Sequence, residues 1–529
     1  MKTTESATKT RPPSWANCSP RASVAYSFLS TVQWFRNKLR SFFPFRARPA
    51  LAKPGEFDAQ FRNGKFRHNR RAVILLITIL LVSAGGLAIA HDESQFVSRY
   101  QEFSDPEGRF ANFKVGGPTD TTKNAFFEDL GTNGRRCVTC HQASDAWSVT
   151  PSHIQARFNA TRGTDPIFRP NDGSGCPTQD TSTVEARREA YSLLLNKGLI
   201  RIELQVPANA EFTVMSNDNP YGCNSVTAIS AYRRPLPTTN IPYLSTVMWD
   251  GRETLKNPDG TFKPVNDDLM HQLASATIIH AQGNAPTAEQ AQEIIDFETH
   301  IFTAQTYDRE AGDLDDDGAK GGPHHLSKQD FFIGINDPLG QNPTGAAFTS
   351  TIFDIYDPWL HIKDRNYDEH TRERRAVARG EHLFNTLQIP ITGVAGLNDV
   401  LNTPVINGFC GTCHDSPNVG DHSVPAPLNI GLVDASRRTP DLPLITVVCN
   451  ATGQVTQVTD LGRAMVTGKC ADIGKFKGPI LRGLAGRAPY FHNGFAPTLL
   501  DAVNFYDTRF NLHLSQKDKD DLVAFLKTL

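Results

Sequence analysis

An excess of charge of one sign is missing from this 529-residue chain: 54 lysines and arginines stand against 56 aspartates and glutamates, a net charge of −2. A nucleic-acid surface needs a basic excess, so the totals exclude that class of partner. No short-period repeat runs through the chain, which excludes a solenoid or a propeller. Long apolar runs are scarce too. The one that exists, residues 72–90, follows a segment rich in Arg, Lys, Pro and Ser that ends in Lys65, Arg67, Arg70 and Arg71. A basic flank before about 20 apolar residues is the layout of an export signal or of a retained membrane anchor. Ala88-Ile89-Ala90 suits cleavage before His91, whereas so long a basic preamble suits an anchor, and both readings stand. Either way residues 1–71 are expected to be an unstructured basic segment, membrane contact to be confined to 72–90, and everything beyond to lie in the periplasm.

Cysteine is sparse as well, nine in all, and its placement carries the chemistry. Cys137-Val-Thr-Cys140-His141 and Cys410-Gly-Thr-Cys413-His414 are two copies of the pattern that attaches a c-type haem. Two thiols three positions apart form thioethers to one porphyrin, and the adjacent histidine reaches the iron as proximal ligand. Zinc would require a second Cys/His pair close behind each copy. None follows: after His141 come His153 and Cys176, and after His414 come His422 and Cys449. Two covalently bound haems are therefore expected. Of the other cysteines, Cys18 precedes the apolar run. Cys176, Cys223, Cys449 and Cys470 remain, an even number for an oxidising compartment. Since each pair falls within one domain, Cys176–Cys223 and Cys449–Cys470 are the predicted disulfides.

The exported part reads as mainly α: two c-type cytochrome domains, 91–370 and 371–529, with long loop insertions, preceded by the N-terminal apolar helix. Ser182-Thr-Val-Glu185 reads as a capping box opening a helix that stops at Gly198, and Thr287-Ala-Glu-Gln290 as another. Residues 374–387 read as the helix entering the second haem motif, and Ser515 caps the last helix, with Leu522, Phe525, Leu526 and Leu529 at helical spacing. Segments 154–235 and 304–370 are rich in Pro and Gly and read as loops. Within the second, Asp313, Asp315, Asp317 and Gly318 have the spacing that opens a calcium loop. Its twelfth position, however, is His324 rather than glutamate, so calcium is a possibility only.

Three further blocks carry a family resemblance. Met248-Trp249-Asp250-Gly251-Arg252 resembles the Phe-Trp-Asp-Gly-Arg block of bacterial di-haem cytochrome c peroxidases. Phe476-Lys-Gly-Pro-Ile-Leu-Arg482, followed by Ala488-Pro-Tyr-Phe-His-Asn-Gly494, resembles their second-domain signature. Arg379-Gly380-Glu381 resembles the start of the helix before their second haem. These stand in family order around both haem motifs, and the chain is identified as similar to the cytochrome c peroxidase/MauG superfamily.

The resemblance implies a peroxide-binding haem on His141 and an electron-handling haem on His414. It implies a relay at Trp249, with Arg252 beside a haem propionate or an acid. The second haem's sixth ligand falls at Tyr506, where the peroxidases have methionine and MauG has tyrosine; Met465 is the alternative. Gln272 matches the family glutamine. The family's catalytic glutamate is missing, and His280 or Gln282 stands in its place; a histidine can shuttle a proton near neutral pH. Trp147 and His153 are distal-side candidates for the first haem. Relatives also hold calcium between their haem domains through backbone oxygens, where this chain has Arg234 and Arg487. The implied activity is reduction of hydrogen peroxide by electrons from a small periplasmic cytochrome c or cupredoxin. A MauG-like oxidase acting on a protein or other large substrate is the alternative, a non-catalytic di-haem electron carrier the third reading, and a homodimer is possible.

Overall fold

The computed structural model describes residues 95–363 and 369–529. The 1–71 segment and the apolar 72–90 run lie outside them. Among the described residues no helix is long and apolar enough to cross a membrane.

The fold is mixed rather than mainly α, which corrects the expectation from sequence: the described residues include five β-sheets. The largest has four antiparallel strands in the order Tyr100–Ser104, Gly108–Lys114, Ile301–Asp308, Gly312–Asp313. Its first hairpin turns on Asp105, whose carboxylate accepts hydrogen bonds from the backbone N–H groups of Glu107 and Gly108. A three-stranded sheet joins the hairpin Leu444–Cys449/Val455–Val458 to Phe212–Asp218 from the first half of the chain. Its central strand, Leu-Ile-Thr-Val-Val-Cys, alternates half-buried and buried residues and is β-branched at four of six positions, which is the period-2 signal of a strand. Ile200–Gln205 pairs with Ala228–Arg233 inside the segment read as loop. Both predicted disulfides are present, Cys176–Cys223 and Cys449–Cys470.

The helical expectations hold with one displacement. The cap before Val184–Ala190 is Thr183, not Ser182, and a break at Tyr191 precedes Ser192–Lys197, which ends on Gly198 at φ 62°. Thr287 and Ser515 cap their helices through reciprocal capping boxes. Helix Glu369–Thr386 packs on the last helix, Gln516–Lys527, at a contact only glycine allows: a Cβ on Gly380 would lie 1.9 Å from the Asp521 carbonyl oxygen. Arg379 grips the Asp521 carboxylate through two 2.8 Å bonds, while Glu381 accepts the backbone N–H groups of Ile355 and Tyr356. The Arg-Gly-Glu triplet is thus a packing device beneath the second haem motif.

Candidate functional site

Each Cys-x-x-Cys-His motif forms one short helical turn, Cys137–Cys140 and Cys410–Thr412. Four thiols remain free among the described residues, and they are the four motif cysteines. Burial raises all four, with Cys410 and Cys413 at about 12, so the unmodified groups stay protonated thiols. The two histidines are set alike. His141 donates Nδ1–H to the Trp147 carbonyl at 3.1 Å, and His414 donates to the Gly420 carbonyl at 2.7 Å. Burial lowers both, His141 to about 4. Each ring is therefore neutral with Nε2 as its lone-pair nitrogen, the state a metal ligand requires.

Beside each motif lies a cavity. One opens beside His414 and the other beside His141. Both walls are predominantly apolar, with Phe384, Leu428 and Phe510 around the first and Ile200, Leu269 and Leu273 around the second. Apolar walls, a free thiol pair and a neutral histidine with Nε2 available fit a covalently attached haem in each.

The walls divide by chain half. Apart from Trp249, the His414 cavity is lined by residues from Phe384 onward, and apart from Lys477, the His141 cavity by residues up to Glu298. Trp249 and Lys477 line both cavities. The Trp249 indole donates to the Arg234 carbonyl at 2.8 Å, and its own carbonyl accepts the Lys477 N–H at 2.9 Å. Asp250 behind it is fully buried. Burial alone would raise it, but the charges of Arg233 and then Arg252 hold it at about 2. Arg233 lies 2.5 Å from Asp250 and 2.8 Å from Asp460, so it ties the Trp-Asp-Gly-Arg block to the second half. Lys477, with its Nζ on the Thr246 carbonyl at 2.9 Å, is lowered to about 8, first by burial.

Trp249, Arg252, Gln272 and His280 all line the His141 cavity. His280 caps helix Val265–Ile279, and its Nδ1 lies 2.6 Å from the Asp172 carboxylate. Tyr506 lines the His414 cavity from helix Leu499–Phe510. Burial, and next the nearby thiols Cys413 and Cys410, raise its phenol. Met465 does not line either cavity and packs with Val447 and Phe476 around the three-stranded sheet.

Neither Trp147 nor His153 lines the His141 cavity. Trp147 packs against Phe126 and Phe297, and its carbonyl accepts the His141 Nδ1–H. His153 pairs with Asp145 at 2.5 Å in a separate surface cleft. Trp147 lies in the turn that follows the motif, and His153 in the first turn of helix Pro151–Thr161.

No protein-family model matches the chain. A 132-residue stretch is 34% identical to cytochrome-c peroxidase IdrP2 of Denitromonas iodatirespirans, covering 23% of this chain and 36% of that protein. A 79-residue stretch is 44% identical to cytochrome c peroxidase Ccp of Escherichia coli (strain K12), covering 15% and 17%. These stretches are similar to bacterial cytochrome c peroxidases. The chain spans about a third or less of the length of these curated relatives. Among solved structures, a MauG-like protein associated with microbial copper homeostasis aligns over 71% of this chain and 88% of that one. The identity is 18% and the TM-score 0.29, too low to carry an argument.

The two arginines at the positions expected from the resemblance to hold calcium bind backbone carbonyls instead. Arg234 donates to the carbonyls of Lys197, Val149 and Arg487 at 2.6, 2.8 and 3.1 Å, and Arg487 to those of Ile480, Gly483 and Arg482. Guanidinium groups thus occupy these carbonyls. In the acidic loop the Asp316 and Asp317 carboxylates pair with Arg374 at 3.1 and 2.6 Å. Among the described residues no group of three or more His, Cys, Asp or Glu could hold a metal.

Sequence reasoning missed Lys477, Asp172 and Glu298 as cavity residues. Lys477 stood inside a quoted block, and Glu298 announces itself only as an acid on the apolar face of helix Ala288–Glu298. Burial pushes Glu298 up to about 8 from an unfolded value of 4.5. A raised folded value favours the protonated fold, so this contribution is complete below about 4.5 and is lost as pH rises through about 8. Glu298→Gln is expected to remove that decline and to stabilise the protein at pH 8, at about 1.4 kcal/mol for each tenfold difference in proton affinity between the folded and unfolded carboxyl. Urea midpoints from pH 4 to 9 check this; parallel curves for the two proteins would refute it.

Proposed function

We propose that this chain is a periplasmic di-haem c-type oxidoreductase that reduces hydrogen peroxide with electrons from a small donor redox protein, a cytochrome c or a cupredoxin. The observation that carries the reading is the shared wall: two apolar cavities, each with its own thiol pair and histidine, are both lined by Trp249 and Lys477. On this reading 91–370 and 371–529 are the two haem domains.

The bound haems supply the iron centres at which peroxide is reduced and between which electrons pass. Cys137, Cys140, Cys410 and Cys413 would hold the two haems through thioethers, and His141 and His414 would bind their irons. The Trp249 ring, oxidisable and delocalised, fills the space between the cavities where an aliphatic side chain would not relay charge. The overall change is H2O2 + 2 e⁻ + 2 H⁺ → 2 H2O. His280 takes the role of the missing glutamate: its Nε2 accepts the proton of one peroxide oxygen and returns it to the departing hydroxyl, which leaves as water. Gln272 and Arg252, polar groups on the same wall, orient the peroxide by hydrogen bonding.

The test is peroxide-dependent oxidation of a reduced donor cytochrome by the holoprotein, with its spectrum. One high-spin haem and peroxide consumption are expected. Two low-spin, ligand-inert haems and no consumption would leave an electron carrier.

Tyr506 favours a second reading, the MauG-like oxidase of a protein or other large substrate. It, and not Met465, faces the His414 cavity. A phenolate ligand stabilises ferric iron relative to methionine. Tyr506→Met is expected to convert a tyrosinate-type spectrum into a methionine-type one, and an unchanged spectrum would remove Tyr506 from the iron.

A further inference from the structure

His280 is held from one side by residues that belong neither to its own helix nor to any family block. Helix Val265–Ile279 ends one residue before it, and a helix end alone leaves an imidazole free to turn about two side-chain bonds. Here the 154–235 insertion reaches across. Asp172 sits with its side chain 4% exposed, 2.6 Å from His280 Nδ1. Its carboxylate is in turn 2.5 Å from the Arg135 guanidinium. That guanidinium also donates to the carbonyls of Pro166 and Ile167 in the insertion, at 2.8 and 2.7 Å, and to the His280 carbonyl at 3.2 Å. Asn133 fixes the same His280 carbonyl at 2.8 Å, and Asn171 donates to the Ile279 carbonyl at 3.1 Å. The Asp172 carbonyl accepts the Arg201 N–H at 2.7 Å, and the Cys176–Cys223 disulfide closes the same segment four residues on.

We propose that Asp172, delivered by the insertion and clamped by Arg135, is a positioning residue for His280: it fixes the Nδ1–H tautomer and turns Nε2, with its lone pair, into the His141 cavity. The proposal rests on the reading of His280 given above and extends it to the residues that make the histidine a base. Burial alone would raise the Asp172 carboxyl, but the Arg135 charge and the His280 hydrogen bond outweigh it and keep it ionised. A buried anion can only accept, so the ring nitrogen facing it must carry the proton, and the other is left to accept one. Arg135, Asp172 and His280 all line the cavity that contains His141. The insertion therefore provides, through an Asp–His pair, the proton acceptor that the family places on a glutamate.

The test uses the oxidised holoprotein and cyanide as probe, because hydrogen cyanide must surrender its proton to bind iron as the anion. His280→Gln is expected to slow cyanide association and to lower kcat for peroxide. Asp172→Asn is expected to slow both by about 10–100-fold, Asp172→Glu to recover part of the loss, and the Asp172→Asn/His280→Gln double variant to be no slower than His280→Gln alone. Wild-type rates in Asp172→Asn overturn the proposal. So does an Asp172→Asn effect of equal size in the His280→Gln background, since that loss does not pass through the histidine. Should an unpaired Arg135 keep Asp172→Asn from folding, the same comparison is made with Arg135→Met in both members, which removes both buried charges. Wild-type behaviour of His280→Gln would instead overturn the reading of His280 itself.

Discussion

Replacing His280 with glutamine is expected to lower peroxide-dependent kcat/KM by about 10²–10⁴-fold, the usual range for loss of a positioned acid/base group. The expectation follows from what else lines the His141 cavity. Arg252 and Gln272 can donate hydrogen bonds, but neither can take a proton at neutral pH. Asp172 is ionised but committed to Arg135 and to His280 itself. Glu298 is held largely protonated at pH 7 by burial. With His141 assigned to the iron on this reading and Lys477, lowered to about 8, still largely an ammonium at pH 7, His280 Nε2 is left as the ring nitrogen to accept the proton. Steady-state turnover at saturating donor measures the loss, and a decrease under about threefold would remove His280 from the chemistry. The haem content of the variant should match the wild type, because the thiols and His141 are untouched.

The second large effect is on stability. Arg233→Met is expected to destabilise the protein by about 3–5 kcal/mol, the cost of breaking a buried ion pair from one side. Arg233 has no exposed surface and bridges Asp250, also unexposed, and Asp460, 5% exposed. Its removal leaves two buried carboxylates with reduced compensation. Arg252 still reaches Asp250 at 3.1 Å, but His492 is 4.0 Å from Asp460 and is itself lowered to about 4, first by burial, so it remains uncharged at neutral pH. The sign of the pH dependence follows. Wild-type Asp250 and Asp460 are held below their usual range, so their contribution is present at neutral pH and is lost as pH falls through the folded values. In the variant both carboxyls rise, and part of the deficit should be regained on acidification toward pH 5. Urea unfolding at pH 7 and pH 5 checks both statements; a loss under about 1 kcal/mol at pH 7 would contradict them.

What is legible in the sequence is whatever chemistry has stamped as short motifs. Two Cys-x-x-Cys-His copies announce two sites, and the structure puts a cavity at each. Within the Met248–Arg252 stretch Trp249 lines both cavities and Asp250 pairs with Arg233, a contact no spacing discloses. Parity and locality are enough for the disulfides, and cap residues for the ends of the helices. The strands escape notice for a physical reason. Most are short, and helical haem-binding segments dominate the reading around them. Leu444–Cys449 nevertheless carries the β-branched alternation that marks a sheet. Asp172 is beyond reach. It lies in an insertion without a motif, and only the folded chain brings it to a histidine 108 residues away. Nearness in sequence to the first motif suggests the distal side for Trp147 and His153, whereas the Trp147 carbonyl holds the His141 ring and His153, on helix Pro151–Thr161, pairs with Asp145 in another cleft.

All of this depends on two iron porphyrins bonded through sulfur to one chain. The most direct measurement is the mass of the intact protein, purified from a host that matures c-type cytochromes and then denatured in acid. The expected result is the polypeptide plus two haem groups, with one lost in Cys137→Ala/Cys140→Ala and the other in Cys410→Ala/Cys413→Ala. A polypeptide mass with no covalent porphyrin, or one unchanged by either pair of substitutions, would contradict it.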